Sequence, residues 1–168
     1  MSRSDIRTLE GSLTVASDAG FAVVASRFNE LIVDQLLSGA LETLTKHGVS
    51  SDRITVVRVP GAWELPLACQ HLAKSGKIHG IVALGCVIRG GTPHFDYVAG
   101  EAARGLAAVS LETGVPIGLG VLTTNTVQQA LERVDETKVG HRGIESALAT
   151  LHMVALGAEL RSTLGQAK

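Results

Sequence analysis

Residues 81–98 read IVALGCVIRGGTPHFDYV and contain the pattern that decides the fold. The first part, Ile81–Ile88, is an apolar run without polar interruption, which is typical of a parallel strand covered on both faces. A glycine-rich turn follows, and Val98 then begins an apolar helical stripe. A strand, a glycine turn and a helix in succession predict one unit of a parallel α/β sheet.

Three further apolar runs rich in Val and Ile predict the other strands: Phe21–Ala25, Ile54–Val59 and Ile117–Leu122. Helical patterns alternate with all four runs. The alternation predicts a three-layer α/β/α sandwich with a four-stranded parallel sheet and right-handed crossovers.

The ends of the helices are predicted from capping residues. Asn29 is the expected N-cap of the first helix, which Gly48 closes. Leu65–Leu72 forms the second helix, and Gly114 closes the third. Asn125 is expected to cap a short fourth helix, with Gln128 at its third position. The last helix is predicted over Ile144–Leu164.

The composition favours one globular domain over residues 1–168, of which 1–11 are expected to be a flexible N-terminal segment. The chain is 45% hydrophobic and 18% charged, so it can fill a core. Its net charge of −1 gives no basic field for a nucleic acid or an anionic membrane. The polar start and the short apolar runs predict a cytoplasmic protein, without a secretion signal or a membrane span. Cys69 and Cys86 are expected to be buried, reduced thiols.

A short apolar segment upstream of the first strand, Leu13–Ala16, is a further strand candidate. It can extend the domain's own sheet, or it can pair with the exposed sheet edge of a neighbouring subunit.

In an open parallel sheet, ligands bind beyond the carboxyl ends of the strands. Three of the five aromatic residues, Phe28, Trp63 and Phe95, follow predicted strands. Aromatic rings at that edge suit stacking on a flat ligand. Stacking is favoured for Phe28, whereas Trp63 and Phe95 fit stacking and ordinary packing about equally.

The turn Arg89–Phe95 is the sharpest local signal. Thr92 is expected to cap the third helix, with Pro93 at its first position. Free amides at that helix start suit phosphate or carboxylate, although a plain strand-to-helix turn would look the same. His94 lies in the first turn, where the helix dipole disfavours the imidazolium, so it suits general acid–base work.

Three charged residues have a structural and a functional interpretation. Glu64 either stabilises a helix start or accepts hydrogen bonds from ligand hydroxyls. Arg133 either complements the end of the short helix or, with Lys138, completes a phosphate site. No sequence motif for a zinc protease, a P-loop or a serine hydrolase is present.

Taken together and in order, these segments resemble the lumazine synthase family over about residues 21–160. The motifs that carry the resemblance are SRFN (26–29), VPGAWE (59–64), LGCVIRG (84–90), TPHFDYV (92–98), GVLTT (120–124) and QALER (129–133). Each motif alone is unspecific, but six in the same order are highly specific.

The resemblance implies a flavodoxin-like fold and a transferase of riboflavin biosynthesis. Its reaction condenses 5-amino-6-(D-ribitylamino)uracil with 3,4-dihydroxy-2-butanone 4-phosphate to 6,7-dimethyl-8-ribityllumazine, releasing phosphate and water in the penultimate step. No metal and no organic cofactor is implied.

The resemblance also implies roles for individual residues. Phe28 would stack on the pyrimidine, and His94 would shuttle protons. Gly91 and Thr92 would donate amides to the phosphate, with Arg133 as its cationic partner. The implied pyrimidine and ribityl pocket consists of Phe28, Asn29, Ala62, Trp63, Glu64, Val87, Ile88, Leu119, Lys138 and Arg142, in which Glu64 holds hydroxyls and Val87 and Ile88 present backbone groups.

Family members are homopentamers with active sites between subunits, and in them an N-terminal strand joins a neighbour's sheet. Some build hollow icosahedral shells. The turn after Arg133 is one residue longer here than in many shell-forming relatives, which displaces Lys138 and favours isolated or paired pentamers. Arg142 replaces a usual lysine, which keeps the charge but changes the donor geometry. Leu119 replaces a usual aromatic residue, so we expect weaker binding of the pyrimidine ring.

Two other functions compete with the enzyme. A non-catalytic binder of lumazine or flavin would need neither His94 nor Arg133. A shell or cargo scaffold is disfavoured by the longer turn after Arg133.

Overall fold

The structure, a computed structural model, describes residues 6–165. Residues 1–5, part of the predicted flexible segment 1–11, lie outside the described residues. Within the described part, no helix combines the length and the apolar character that crossing a membrane requires.

The predicted alternation of strands and helices is confirmed. The elements are β1 Phe21–Ser26, α1 Glu30–Lys46, β2 Ile54–Val59, α2 Leu65–Lys74, β3 Gly80–Ile88, α3 His94–Thr113, β4 Ile117–Thr124, α4 Val127–Leu131, β5 Val134–Asp135, β6 Gly140–His141 and α5 Arg142–Leu164, with single 3-10 turns at Ser51–Arg53 and Ala62–Glu64.

The main sheet is parallel, with strand order β2-β1-β3-β4. Helices α1 and α5 pack together on one face, and α2 and α3 pack on the other. This is the predicted three-layer sandwich. The chain crosses from one side of β1 to the other between β2 and β3, so the strand order reverses between β1 and β3.

The core follows the alternation of side chains along the strands. Phe21, Val23 and Ala25 pack toward α1 and α5, whereas Ala22 and Val24 pack toward α2 and α3. Because four helices cover only the middle of the sheet, β1 is fully buried while the edge strands are not. The expectation of strands covered on both faces therefore holds for β1 and most of β3, and not for β2 and β4 in the single chain.

The predicted N-terminal capping of α1 and α4 differs from that in the structure. Asn29 precedes α1 with φ 58°, in the left-handed region, and its side chain does not cap the helix. Helix α4 is capped by Thr126, whose side chain accepts from the Gln129 amide at 3.1 Å, rather than by Asn125. Asn125 instead takes the preceding position, where its amide donates to Gln129 Oε1 at 2.8 Å.

Two boundaries also differ from the prediction. Thr123 and Thr124, expected after the fourth strand, belong to β4 because the Arg89 amide extends the pairing by bonding to Thr124 O at 2.8 Å. Leu13–Ala16 forms no strand, so the expectation that it extends the domain's own sheet is wrong.

The longer turn after Arg133 folds as a small hairpin. Val134 pairs with His141, and Asp135 pairs with Gly140, whose φ of 94° turns the chain back. Hydrogen bonds from Thr137 hold the pKa of Asp135 below its usual value. Sequence reasoning missed this hairpin because its two strands are too short to show a periodic pattern.

Candidate functional site

A cavity of about 270 Å³ lies beyond the carboxyl ends of β1 and β3, where the strand order reverses. Open parallel sheets bind ligands at such a reversal. The loops after β1, β2 and β3, the end of β3 and the start of α3 supply the lining residues, which are Phe28, Ala62, Cys86, Val87, Ile88, Gly90, Thr92, His94, Phe95 and Val98.

A larger cavity of about 610 Å³ lies at the opposite end of the sheet, between residues 10–19 and the second half of α5. None of the sequence-predicted site residues lines it. The smaller cavity is therefore the candidate site, because it alone of the two combines aromatic rings, strand ends and the helix start that bears His94.

Phe28 stands at the mouth of the site with 71% of its surface exposed. Two backbone hydrogen bonds, from Arg27 to Val59 O at 2.8 Å and from Phe28 to Pro60 O at 3.1 Å, hold its loop against the end of β2. The exposed ring is thus on a tethered backbone, which reduces the ordering cost of stacking it on a flat ligand.

Asn29 links the ends of two strands instead of capping α1. Its side-chain amide donates to Cys86 O at 2.8 Å. The left-handed φ that this position needs is tolerated better by Asn than by most residues. The side-chain oxygen of Asn29 is left as an acceptor beside the cavity.

The segment after β2 places its three predicted site residues differently. Ala62 is 5% exposed and lines the cavity, whereas Trp63 is 56% exposed and does not line it. Glu64 Oε2 accepts from the Gly61 amide at 2.9 Å, so one carboxylate oxygen stabilises the start of the 3-10 turn. Glu64 therefore stabilises the start of a helical turn, as its structural interpretation requires. Within residues 6–165, its second carboxylate oxygen has no hydrogen-bond partner.

Helix α3 begins at His94, one residue later than predicted. Pro93 occupies the position before it, and the Asp96 amide donates to Pro93 O at 3.0 Å. Thr92 is not the N-cap, because Pro93 takes that position. Thr92 and His94 both line the cavity and are solvent-exposed.

The amides of the glycine turn are unoccupied by protein acceptors. Among residues 6–165, no hydrogen bond is recorded from the amides of Gly90, Gly91 and Thr92. A side chain added at Gly90 or Gly91 would meet no atom within 4 Å, so the turn is open on its outer side. Exposed amides just before a helix N-terminus are suited to an anion.

The cationic candidates lie apart from the cavity of a single chain. Arg133 is half-buried after α4 and donates to Gln129 O at 2.8 Å, as its structural interpretation requires. Lys138 is exposed in the β5–β6 turn, and Arg142 begins α5 in an ion pair with Glu145. Leu119 is 55% exposed on β4, facing an apolar groove along α3.

Sequence reasoning missed two of the cavity residues at this edge. Cys86 and Val98 line the cavity, and burial raises the pKa of the Cys86 thiol to about 11. Ser26 is 1% exposed at the end of β1, and its hydroxyl has no hydrogen-bond partner within the described residues. The continuous apolar runs predicted only that β1 and β3 are buried, and the tertiary structure shows which side chains at the end of the sheet reach the cavity.

Sequence comparisons identify relatives over most of the chain. The family described as 6,7-dimethyl-8-ribityllumazine synthase matches residues 18–158. A curated relative, the 6,7-dimethyl-8-ribityllumazine synthase of Nitratidesulfovibrio vulgaris (strain DSM 19637 / Miyazaki F), is 52% identical over 155 residues. That alignment covers 92% of this chain and 98% of the relative.

Proposed function

The chain belongs to the 6,7-dimethyl-8-ribityllumazine synthase family, and we propose that the cavity between the ends of β1 and β3 is where it carries out that family's reaction. The enzyme is a transferase of riboflavin biosynthesis. It condenses 5-amino-6-(D-ribitylamino)uracil with 3,4-dihydroxy-2-butanone 4-phosphate and releases phosphate and water. The observation that carries the assignment of the site is that Phe28, the end of β3 and His94 line one cavity.

The uracil substrate is proposed to lie against Phe28. The exposed ring stacks on the pyrimidine, and Val87 and Ile88 present backbone groups to its edge. Asn29 and Glu64 are proposed to accept from ribityl hydroxyls, each through its remaining oxygen, and Ala62 forms the pocket floor. Trp63, whose side chain is exposed, is proposed to contact the ribityl chain at the outer side of the pocket.

The phosphate of the second substrate is proposed to bind at the glycine turn. The amides of Gly91 and Thr92 have no protein acceptor, and the positive end of α3 lies directly behind them. Arg133 supplies the matching cation.

His94 is proposed to transfer the protons of the condensation. The amine of the uracil attacks the ketone carbonyl, and a proton must reach the carbonyl oxygen before it leaves as water. Phosphate loss and ring closure each need another proton moved at the same place. Positioning supplies much of the remaining rate, because an amine and a ketone held together gain an effective molarity of about 10⁵ M or more.

Arg133, Lys138, Arg142 and Leu119 do not line the cavity of their own chain, which supports sites shared between subunits. We propose a homopentamer in which Leu119, with the exposed face of β4, reaches the neighbour's uracil pocket. Leu13–Ala16, unpaired in its own chain, joins the neighbour's sheet. Isolated or paired pentamers are proposed rather than a shell, because the longer turn folds as the β5–β6 hairpin.

The remaining assignments follow from the family. We propose that residues 1–168 form one domain and that the enzyme works in the cytoplasm on small-molecule substrates, without a nucleic acid or membrane partner. It is proposed to need no metal and no organic cofactor.

The test is a direct assay of lumazine formation by absorbance against the uncatalysed background. His94→Ala should lower kcat by about 100-fold and change KM for the uracil less than about threefold, because it removes a proton donor and no ring contact. Arg133→Ala should raise KM for the phosphate substrate by about tenfold or more.

His71→Ala, an exposed histidine on α2, serves as the matched control and should leave kcat unchanged. Equal loss of turnover and uracil binding in His94→Ala would remove the proton-transfer role. No acceleration by the wild-type protein, together with tight binding of a lumazine or flavin, would make it a binder instead.

A further inference from the structure

The guanidinium of Arg89, the first residue after β3, makes three kinds of contact. It donates to both carboxylate oxygens of Asp96, at 3.0 Å and 3.3 Å, and to Asn125 Oδ1 at 3.1 Å. Its planar group also lies 4.2 Å above the centre of the Phe95 ring. A forked, stacked geometry of this kind is specific to arginine.

These contacts span the proposed phosphate turn. Arg89 precedes Gly90, and its partners Phe95 and Asp96 lie in the first turn of α3, just after His94. The turn between them has amides without protein acceptors and no packing on its outer side. The Arg89 side chain therefore joins the two ends of a segment that has little else to hold it, and Asn125 attaches it to the start of the α4 region.

The ion pair between Arg89 and Asp96 contributes little to the free energy of unfolding. The side chains of Arg89 and Asp96 are 43% and 58% exposed, and an ion pair in that setting is screened by water. Loss of the pair is therefore expected to leave the fold intact, so its effect on the site can be measured.

The negative charge of Asp96 also affects how well the turn can bind phosphate. Its carboxylate lies in the first turn of α3, close to the amides proposed to receive phosphate. An unpaired carboxylate there would repel a phosphate dianion. The Arg89 fork cancels that charge while leaving the amides free.

We propose that Arg89 is a positioning residue that holds the Gly90–Thr92 turn and neutralises Asp96, so that the turn accepts the phosphate of the second substrate. The inference rests on the proposed function of that turn. Arg89 touches no substrate in this proposal and acts through the loop and through Asp96.

The test measures competitive inhibition by inorganic phosphate together with both KM values. Arg89→Gln should raise the phosphate inhibition constant and KM for the phosphate substrate about tenfold, because the carboxylate is then unpaired. KM for the uracil should change less than about twofold. Asp96→Asn combined with Arg89→Gln should recover about threefold of the lost phosphate affinity, because the unpaired charge is removed although the hold on the turn is not restored.

Arg104→Gln is the matched control, because Arg104 forms an exposed ion pair with Glu101 on the same helix, and it should change neither constant. Circular dichroism checks that each variant folds. A merely structural role predicts equal increases in both KM values and no rescue in the double variant, and either result overturns the proposal. If phosphate fails to compete in the wild-type enzyme, the proposed phosphate site fails, which is distinct from unchanged phosphate affinity in Arg89→Gln alone.

Discussion

At the scale of single residues, the site depends on side chains that serve the backbone of another element. Asn29 ties the start of α1 to the end of β3 through Cys86 O, and Glu64 closes the turn that positions Ala62. In each, one side-chain polar atom makes this structural hydrogen bond, and the oxygen that remains is the one proposed to bind a ribityl hydroxyl. Substitution of either therefore removes a positioning contact together with a proposed substrate contact, and the two effects cannot be separated by alanine alone.

The two buried thiols, Cys69 and Cys86, are expected to make the free energy of unfolding depend on pH. Burial raises the pKa of Cys69 to about 12 and that of Cys86 to about 11, from an ordinary value of 9.0. Above pH 9 the unfolded chain loses these protons while the folded chain keeps them, so the free energy of unfolding falls as pH rises toward those values. Below pH 9 both states are protonated and the thiols add no pH dependence.

Urea denaturation between about pH 8 and pH 11 should show Cys69→Ala losing stability less steeply than wild type, by up to about 1.4 kcal/mol per pH unit. Val109→Ala is the control, since it shortens a buried side chain on the same face without removing an ionisable group. Parallel pH profiles for wild type and Cys69→Ala would contradict the assigned burial effect.

At the scale of elements, α1 and α5 approach closely because a glycine lies between them. A Cβ built on Gly143 would collide with the carbonyl oxygen of Leu36, a backbone atom that cannot turn away. The same packing places the imidazole of His141 against Gly39 and lets its Nδ1 accept from the Ile144 amide at 3.4 Å. The two glycines thus allow the helix pair that covers one face of the sheet.

Gly143→Ala should lower the free energy of unfolding by about 1–3 kcal/mol, because the helices must separate to admit the methyl group. Gly157→Ala, later in α5, is the matched control. Its added Cβ meets only the mobile end of Arg161 at 3.3 Å, so a gain of about 0.5–1 kcal/mol in helix propensity is expected. Urea titration of both variants checks this, and equal stability changes would show that the close approach is unimportant.

At the scale of the whole molecule, a single chain leaves its sheet uncovered at both edges. Leu119 on β4 and Leu111 on α3 are 55% and 87% exposed beside an apolar groove, and β2 pairs on one side only. Exposed apolar surface and an open strand edge are the usual marks of an interface. They support the proposed pentamer, in which a neighbouring subunit covers exposed apolar surface and pairs with an open strand edge.

Light scattering should therefore give a particle of five or ten chains. Leu119→Glu should shift the mass toward smaller species and raise KM for the uracil, because the charge would be buried between subunits. Leu164→Glu, at the exposed last residue of α5, is the control and should change neither. A fully active monomer would refute active sites shared between subunits. A particle much larger than ten chains would favour a shell over isolated or paired pentamers.

The sequence by itself determined the four parallel strands, the five helices and the sandwich, and it predicted the edge of the sheet at which the candidate cavity lies. Those features follow from local periodicity, glycine turns and chain order, each of which the sequence displays directly. Together with the family resemblance, it predicted Phe28, Ala62, Val87, Ile88, Thr92 and His94 as site residues, and the structure brings all six to one cavity.

Only the tertiary structure decided which residues cap, pair or face outward. Asn29 and Thr92 have the residue types of N-caps, but Asn29 bonds to a strand distant in sequence and Thr92 is left exposed before Pro93. The Arg89 side chain joins the loop after β3 to the first turn of α3 and to the loop before α4, and the β5–β6 hairpin arises from two residues on each strand. The reason is physical: local patterns report what a segment prefers alone, whereas these contacts depend on groups that become neighbours only when the sheet has formed.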